Sequence, residues 1–199
     1  MRRLIVLTSV LGFALLVVSG CGRSPSAPST TNTTSTAAAA AETNPAGDIP
    51  DTTVFVPFHA PSGKWSVSVP QGWARTDSGA AVVFTDKLNS IRLQEIPNTT
   101  AATEASVKTT EVPQLQAADP SVKVDTITTV TRKAGPAIET TYTHDSAPNP
   151  VTGRVEHDAV QRYDYFHNGT ELVLTLAGPV GADNVDPWHT VTDSVMWTP

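Results

Sequence analysis

Two histidines and three carboxylates cluster in the second half of the chain, as His144-Asp145 and Glu156-His157-Asp158, with His167 further along. Imidazole and carboxylate together are the usual equipment for general acid–base work and for holding a divalent cation, and a cation site needs at least three such ligands converging. If residues 137–145 and 154–166 form a hairpin over the loop 146–153, a simple register sets Asp145 opposite Arg154, His144 opposite Val155 and Tyr142 opposite His157. In that register His144 sits two pairs along from His157, and the three converging ligands that a cation needs are not assembled. Two readings remain: a hydrolytic or metal site built on His144, His157 and Asp158, and a polar strand face whose charge pairs contribute about 0 to 1 kcal/mol each. The second is preferred, and no catalytic residue, metal ligand or cofactor is assigned. The chain contains no Ser-x-x-Lys, Gly-x-Ser-x-Gly, His-Glu-x-x-His or glycine-rich phosphate loop, so the common signatures of acyl transfer, zinc peptidase and nucleotide chemistry are missing.

The most specific chemical signal is the single cysteine. Arg2 and Arg3 precede an uncharged apolar run, Leu4 to Val18, and Ser19-Gly20-Cys21 follows. A basic start, an apolar core too short to cross a bilayer of about 30 Å and small residues at its end describe a secretory signal peptide. Cys21 directly after Ser-Gly resembles the lipobox of bacterial lipoproteins. There the thiol is alkylated by diacylglycerol and the chain is cut just before it, so the sulfur is an anchor and not a nucleophile. Two or three acyl chains of the palmitate type give stable attachment at about 0.8 kcal/mol per buried methylene, where one chain is marginal. The expected localisation is the plasma membrane, lipid-anchored, on its extracytoplasmic face.

Residues 1–20 are thus read as signal peptide and 21–52 as lipidated cysteine and tether. The tether, GRSPSAPSTTNTTSTAAAAAETNPAGDIPD over most of its length, has too few large apolar residues to offset the entropy of ordering its backbone. It is expected to add nothing to folding. Residues 53–199 make one domain of ordinary size. The whole chain carries 13 basic and 19 acidic residues, net −6. Its acidic balance makes it a poor partner for phosphate backbones, and nucleic acid is excluded as a ligand class.

The elements that must position any site are mostly strands. Beyond residue 20 the chain holds 19 Val, 5 Ile and 28 Thr against 6 Leu, and β-branched side chains suit a pleated surface. Trp65–Val69 alternates strictly, and Pro70-Gln71-Gly72-Trp73 closes it with a turn in which Gly72 is the natural place for a positive φ. Trp73 then re-enters to lie against the sheet. Further strands are read at 80–86, 90–96, 122–131, 137–145, 155–166 and 171–177, with an edge segment at 53–58. A helix is expected over 101–118, capped by Thr100 and shortened or kinked by Pro113. A second is expected over about 183–196, with Val185, Trp188, Thr192 and Val195 on one face. Strands joined mostly by hairpin-length loops predict an α+β fold: a mostly antiparallel sheet of about seven or eight strands covered by two helices.

The stretch Phe58-His59-Ala60-Pro61-Ser62-Gly63-Lys64-Trp65 through Pro70-Gln71-Gly72-Trp73, followed by Val83-Phe84-Thr85-Asp86 and a strand, resembles the opening of PsbP-like domains. Among these it is most similar to the LpqN/LpqT-type lipoproteins of mycobacteria and other actinobacteria. The resemblance implies an α/β/α sandwich and a membrane-attached envelope protein that acts by binding, with no catalytic residues to carry over.

The aromatic residues Trp65, Trp73, Phe84, Tyr142, Tyr163, Tyr165, Phe166 and Trp188 are either the core of the domain or the lining of an apolar groove. Most are read as core. Tyr163, Tyr165 and Trp188 are kept as candidate ligand or partner contacts, because Asp158, Arg162 and Asp164 make the tyrosine strand look half exposed. The leading expectation is a non-enzymatic protein-interaction module with an envelope protein partner. The alternatives are a carrier or sensor of an acylated envelope lipid and an uncharacterised hydrolase.

Overall fold

A computed structural model describes residues 46–199. The expected signal peptide, Cys21 and the tether as far as residue 45 lie outside the described residues.

The β-branched segments build a seven-stranded antiparallel sheet. Its strands are β3 (Ala74–Ser78), β4 (Ala81–Asp86), β5 (Asn89–Pro97), β6 (Lys123–Arg132), β7 (Gly135–Asp145), β8 (His157–His167) and β9 (Thr170–Pro179), in the order β3-β4-β5-β9-β8-β7-β6. A second sheet pairs β2 (Trp65–Pro70) with β1 (Phe55–His59) on one side and the two-residue β10 (Met196–Trp197) on the other. Two helical segments complete the domain. The first runs through α1 (Glu104–Ser106), a π-helical stretch Val107–Glu111 and α2 (Val112–Ala118); the second is α3 (Val185–Asp193).

Alternation assigns the layers. Ile91, Leu93, Leu172, Leu174, Leu176, Tyr163 and Tyr165 point to one face and bury against Phe58, Trp65, Val67 and Val69 of the small sheet and Trp188 and Val191 of α3. On the other face Tyr142 and Val160 meet Val122 and Leu115 beneath the first helical segment. Strands β8 and β9 lie inside the sheet with both faces covered, which is why β9 is apolar almost without alternation, TELVLTLAGP.

The expected α+β architecture stands, with five local differences. The alternating strand 65–69 belongs to the small sheet, not the large one. β3 (ARTDS, exposed throughout) has no large apolar residue to announce it. β8 starts at His157, so Asp145 faces His157, His144 faces Asp158 and Tyr142 faces Val160, a shift of three residues from the simple register. The first helix starts at Glu104, capped by Thr103 instead of Thr100, and the chain passes Pro113 through the π-helical turn that precedes it. Finally, α3 ends at Asp193, and Val185, expected on its buried face, is 67% exposed. Pro187 sits in its first turn as expected.

The domain also reaches further back than residue 53. Ile49 is buried in the main core, its N–H donating to Asn184 Oδ1 at 2.8 Å. Gly47 lies so close to Pro179 that a Cβ there would come within 2.6 Å of the ring.

Candidate functional site

A groove of about 610 Å³ opens on the helical face of the sheet where α1 begins. Its walls are Ala101, Ala102 and Ala105 on the helix side and Pro136, Ile138 and Phe166 on β7 and β8, and among the described residues its only charged lining is Glu104 and Asp164. Small residues before a helix start leave the space; the helix cap fixes the rim. Thr103 Oγ1 accepts from the Ser106 N–H at 3.1 Å, and Ser106 Oγ accepts from the Thr103 N–H at 2.8 Å. This reciprocal cap holds Glu104 in the first helical turn.

From there Glu104 reaches the outer edge of the sheet. Its Oε1 accepts from both the N–H and the Oγ1–H of Thr129 on β6, each at 2.7 Å, and these two bonds hold the Glu104 carboxyl below its usual range. The Thr129 N–H therefore points away from β7. Since Ile127 and Thr131 share that orientation by alternation, and Thr126–Arg132 pair with β7 without a break, the backbone groups of Ile127 and Thr131 also face outward.

The other sheet edges are blunted in recognised ways. β1 contains Pro57. β3 is five residues long and carries an Arg75–Asp77 ion pair at 2.9 Å, and β10 is two residues long. β6 has ten residues and no proline, a bulge only at Val124/Thr126, and, among the described residues, one side chain, Glu104, bonded to its edge.

The groove floor is electrostatically tense. The Asp164 side chain has no exposed surface; Arg162 donates to it through Nε at 3.2 Å, its Nη2 lies 2.9 Å from the same carboxylate, and Nη2 also donates to Glu111. Burial pushes the Asp164 carboxyl up to about 7; Arg162 opposes this, and the nearby charges of Glu111 and Glu171 add to it. Glu111, Asp164 and Glu171 bring carboxylate oxygens within 4.8 Å of one another. The positive charge there is the Arg162 guanidinium, which bonds two of the three.

The residues expected to make surface contacts are placed elsewhere. Tyr163 and Tyr165 are 1% exposed and Trp188 is 6% exposed. The Tyr163 hydroxyl donates to Glu139 at 2.6 Å and accepts from Arg132 at 2.9 Å, and the Tyr165 hydroxyl donates to the Thr192 carbonyl at 3.0 Å. Burial raises the pKa of both phenols. The charges that made their strand look exposed, Arg162 and Asp164, lie on the opposite face beneath the helix, so the tyrosines are core and not contact residues. Trp188 packs over Gly178; only its margin reaches a separate hollow beside Thr141 and Gln161.

The histidine cluster does not converge. His144 pairs with Asp119 at 3.0 Å and His157 with Asp145 at 2.9 Å, on opposite faces, while the His167 ring stacks on Trp197 with centroids 5.3 Å apart. Asp158 is buried opposite His144, and its carboxyl is raised by that burial. The histidines thus form local pairs, while Glu156 and Asp158 line a separate hollow of about 480 Å³ beside residues 146–154 that holds no histidine. Glu104, Thr129 and Asp164, which define the groove, carried no spacing signal beyond the position of Glu104 in a first helical turn.

No family model matches the chain, and no curated protein sequence matches it significantly. Solved structures do. The solution structure of cyanobacterial PsbP from Synechocystis superposes with a TM-score of 0.57 at 14% identity, covering 76% of this chain and 98% of that one. LpqN of Mycobacterium tuberculosis, described as involved in cell envelope biogenesis, aligns at 16% identity and a TM-score of 0.42, covering 75% and 93%. The Ran-binding protein Mog1p of Saccharomyces cerevisiae aligns at 11% identity and a TM-score of 0.47, covering 65% and 79%. The chain has the PsbP-like fold.

Proposed function

We propose that this chain is a non-enzymatic binding module, held by a lipid on Cys21 at the outer face of the plasma membrane, that meets an envelope protein partner along the free edge of β6. The observation that carries this reading is the Thr129 N–H. A backbone donor of a seven-stranded sheet is satisfied by one surface carboxylate, between Ile127 and Thr131, whose outward groups no strand covers among the described residues. Such an edge is a ready template for an added strand, and a groove beside it supplies side-chain selectivity. The signal segment and Cys21 support the location.

A photoreactive side chain placed at Thr131 in the living host tests this. The expected result is a discrete protein adduct from position 131, absent from the same group at Val151, which is 90% exposed on a loop, and lost with Cys21→Ser. Equal labelling at both positions overturns the reading. A second reading, an acyl chain lying in the groove, is favoured by its alanine, Ile138 and Phe166 walls; labelling of lipid instead of protein from Ala102 would select it.

A further inference from the structure

We propose that the partner segment which pairs with β6 is an extended strand carrying a lysine or arginine opposite Thr129, and that Glu104 changes bonds when it binds, from the Thr129 backbone to that cation. The inference rests on the reading of β6 as a docking edge and names what docks.

The geometry supplies each part. In an antiparallel pair, residues facing one another across outward-pointing groups exchange both backbone bonds. The residue opposite Thr129 therefore accepts the Thr129 N–H now held by Glu104 and donates to the Thr129 carbonyl. Its carbonyl replaces the Glu104 carboxylate, and the Thr129 donor stays satisfied. Paired residues also project their side chains to the same face. Thr129 lines the groove, so the side chain opposite it projects over the groove mouth, where the displaced Glu104 carboxylate now needs a partner.

The charge of the groove selects the side chain. Among the described residues its only charged lining is Glu104 at the rim and Asp164 on the floor, both acidic, and the rest is alanine, threonine, Pro136, Ile138 and Phe166. Asp164 is already engaged by Arg162; Glu104 is exposed and has no cation partner among the described residues. A long apolar stem ending in a cation matches those walls and that rim, because lysine and arginine bury their methylenes while the charged head stays at a polar boundary. An acidic side chain there would face Glu104 at close range, and an uncharged one would leave the displaced carboxylate with water alone.

The probe is a nine-residue peptide, acetyl-Ser-Thr-Val-Thr-Lys-Thr-Val-Thr-Ser-amide, with a second peptide in which norleucine replaces the lysine. Both are titrated against the full-length protein in detergent micelles, with backbone amide exchange followed at Ile127, Thr129 and Thr131. The lysine peptide is expected to slow exchange at Ile127 and Thr131, and to bind more tightly than the norleucine peptide by a factor of about two to five, the range for an exposed ion pair. Glu104→Gln keeps an acceptor for Thr129 but removes the charge. It should remove the preference for lysine. If neither peptide binds, if binding leaves Ile127 and Thr131 unprotected, or if Glu104→Gln weakens both peptides equally, the proposal is wrong. An adduct from Thr131 in the host, together with equal binding of the two peptides, would keep the docking edge and remove only the cation; loss of both removes the docking edge itself.

Discussion

Asn184 donates its side-chain amide to Asn89 Oδ1 at 3.0 Å, and both residues donate to the carbonyl of Gly47, at 3.0 and 2.7 Å. Two residues 95 positions apart thereby hold the entry of the chain into the domain. They can do so because Gly178 has no Cβ: one placed there would lie 2.3 Å from Asn89 Oδ1.

The first prediction follows from that clamp. A chain beginning at Thr53 loses the buried Ile49 and leaves the amides of Asn89 and Asn184 without their acceptor. Ile49→Ala alone should destabilise the domain by about 2 to 5 kcal/mol, and Asn184→Ala by about 1 to 3 kcal/mol. Thermal unfolding of chains starting at 46 and at 53 checks it; a difference of at least about 5 °C is expected. Equal melting temperatures would mean that residues 46–52 do not dock.

The second prediction concerns pH. The Asp164 carboxyl titrates near 7 in the folded chain and near 3.8 when unfolded, so the folded chain binds the proton more tightly. The stabilisation from this group is complete below about pH 4 and is lost as pH rises toward 7, with a slope of at most about 1.4 kcal/mol per pH unit. Glu95 and Asp119, both held below their usual range, act in the opposite sense below about pH 4.5. Denaturant unfolding between pH 4.5 and 7.5 should show stability falling with pH in the natural chain and a flatter profile in Asp164→Asn. Parallel profiles would show that Asp164 ionises as an ordinary carboxylate.

Gly72 and Trp73 give a third. Gly72 has φ of 84°, and nothing lies within 4 Å of a Cβ placed there, so Gly72→Ala should cost about 1 kcal/mol through backbone strain alone. Trp73 is half-buried at the margin of the core. Trp73→Ala should therefore cost less than the roughly 3 to 5 kcal/mol of a fully buried aromatic. Chemical denaturation measures both; a loss from Trp73→Ala in the fully buried range would place it inside the core.

The anchor gives a fourth. Cys21→Ser should leave the chain unlipidated and uncut at this position, so that it no longer fractionates with membranes as the mature lipidated species. Mass spectrometry of the membrane fraction reads this directly. An acylated mature species from Cys21→Ser would place the anchor elsewhere.

Much of this fold is written in side-chain type. β-branched alternation marks the strands of both sheets, and Pro70-Gln71-Gly72-Trp73 marks a turn whose glycine has the expected positive φ. The rest depends on contacts between distant segments. β3 is an exposed edge strand without a large apolar residue, held by pairing with β4 rather than by burial. The β7–β8 register is set by the loop over residues 146–156, where Ser146 and Glu156 exchange bonds, and loop closure of that length leaves no periodic signal. The tyrosines misled because Arg162 and Asp164 looked like surface charges, whereas they are buried against Glu111 on the opposite face. The groove was unreadable for the same reason: Glu104 and Thr129 are 25 residues apart and meet only once the sheet is assembled.

The most direct test of β6 as the docking edge is hydrogen–deuterium exchange of the full-length protein, compared between its native membranes and the same protein purified in detergent. Fragments spanning 123–132 should exchange quickly when purified and slowly in the membranes, where the partner strand covers Ile127 to Thr131, while fragments spanning 74–78 on the opposite edge exchange alike in both. Unchanged exchange over 123–132, or new protection confined to another surface, would contradict it.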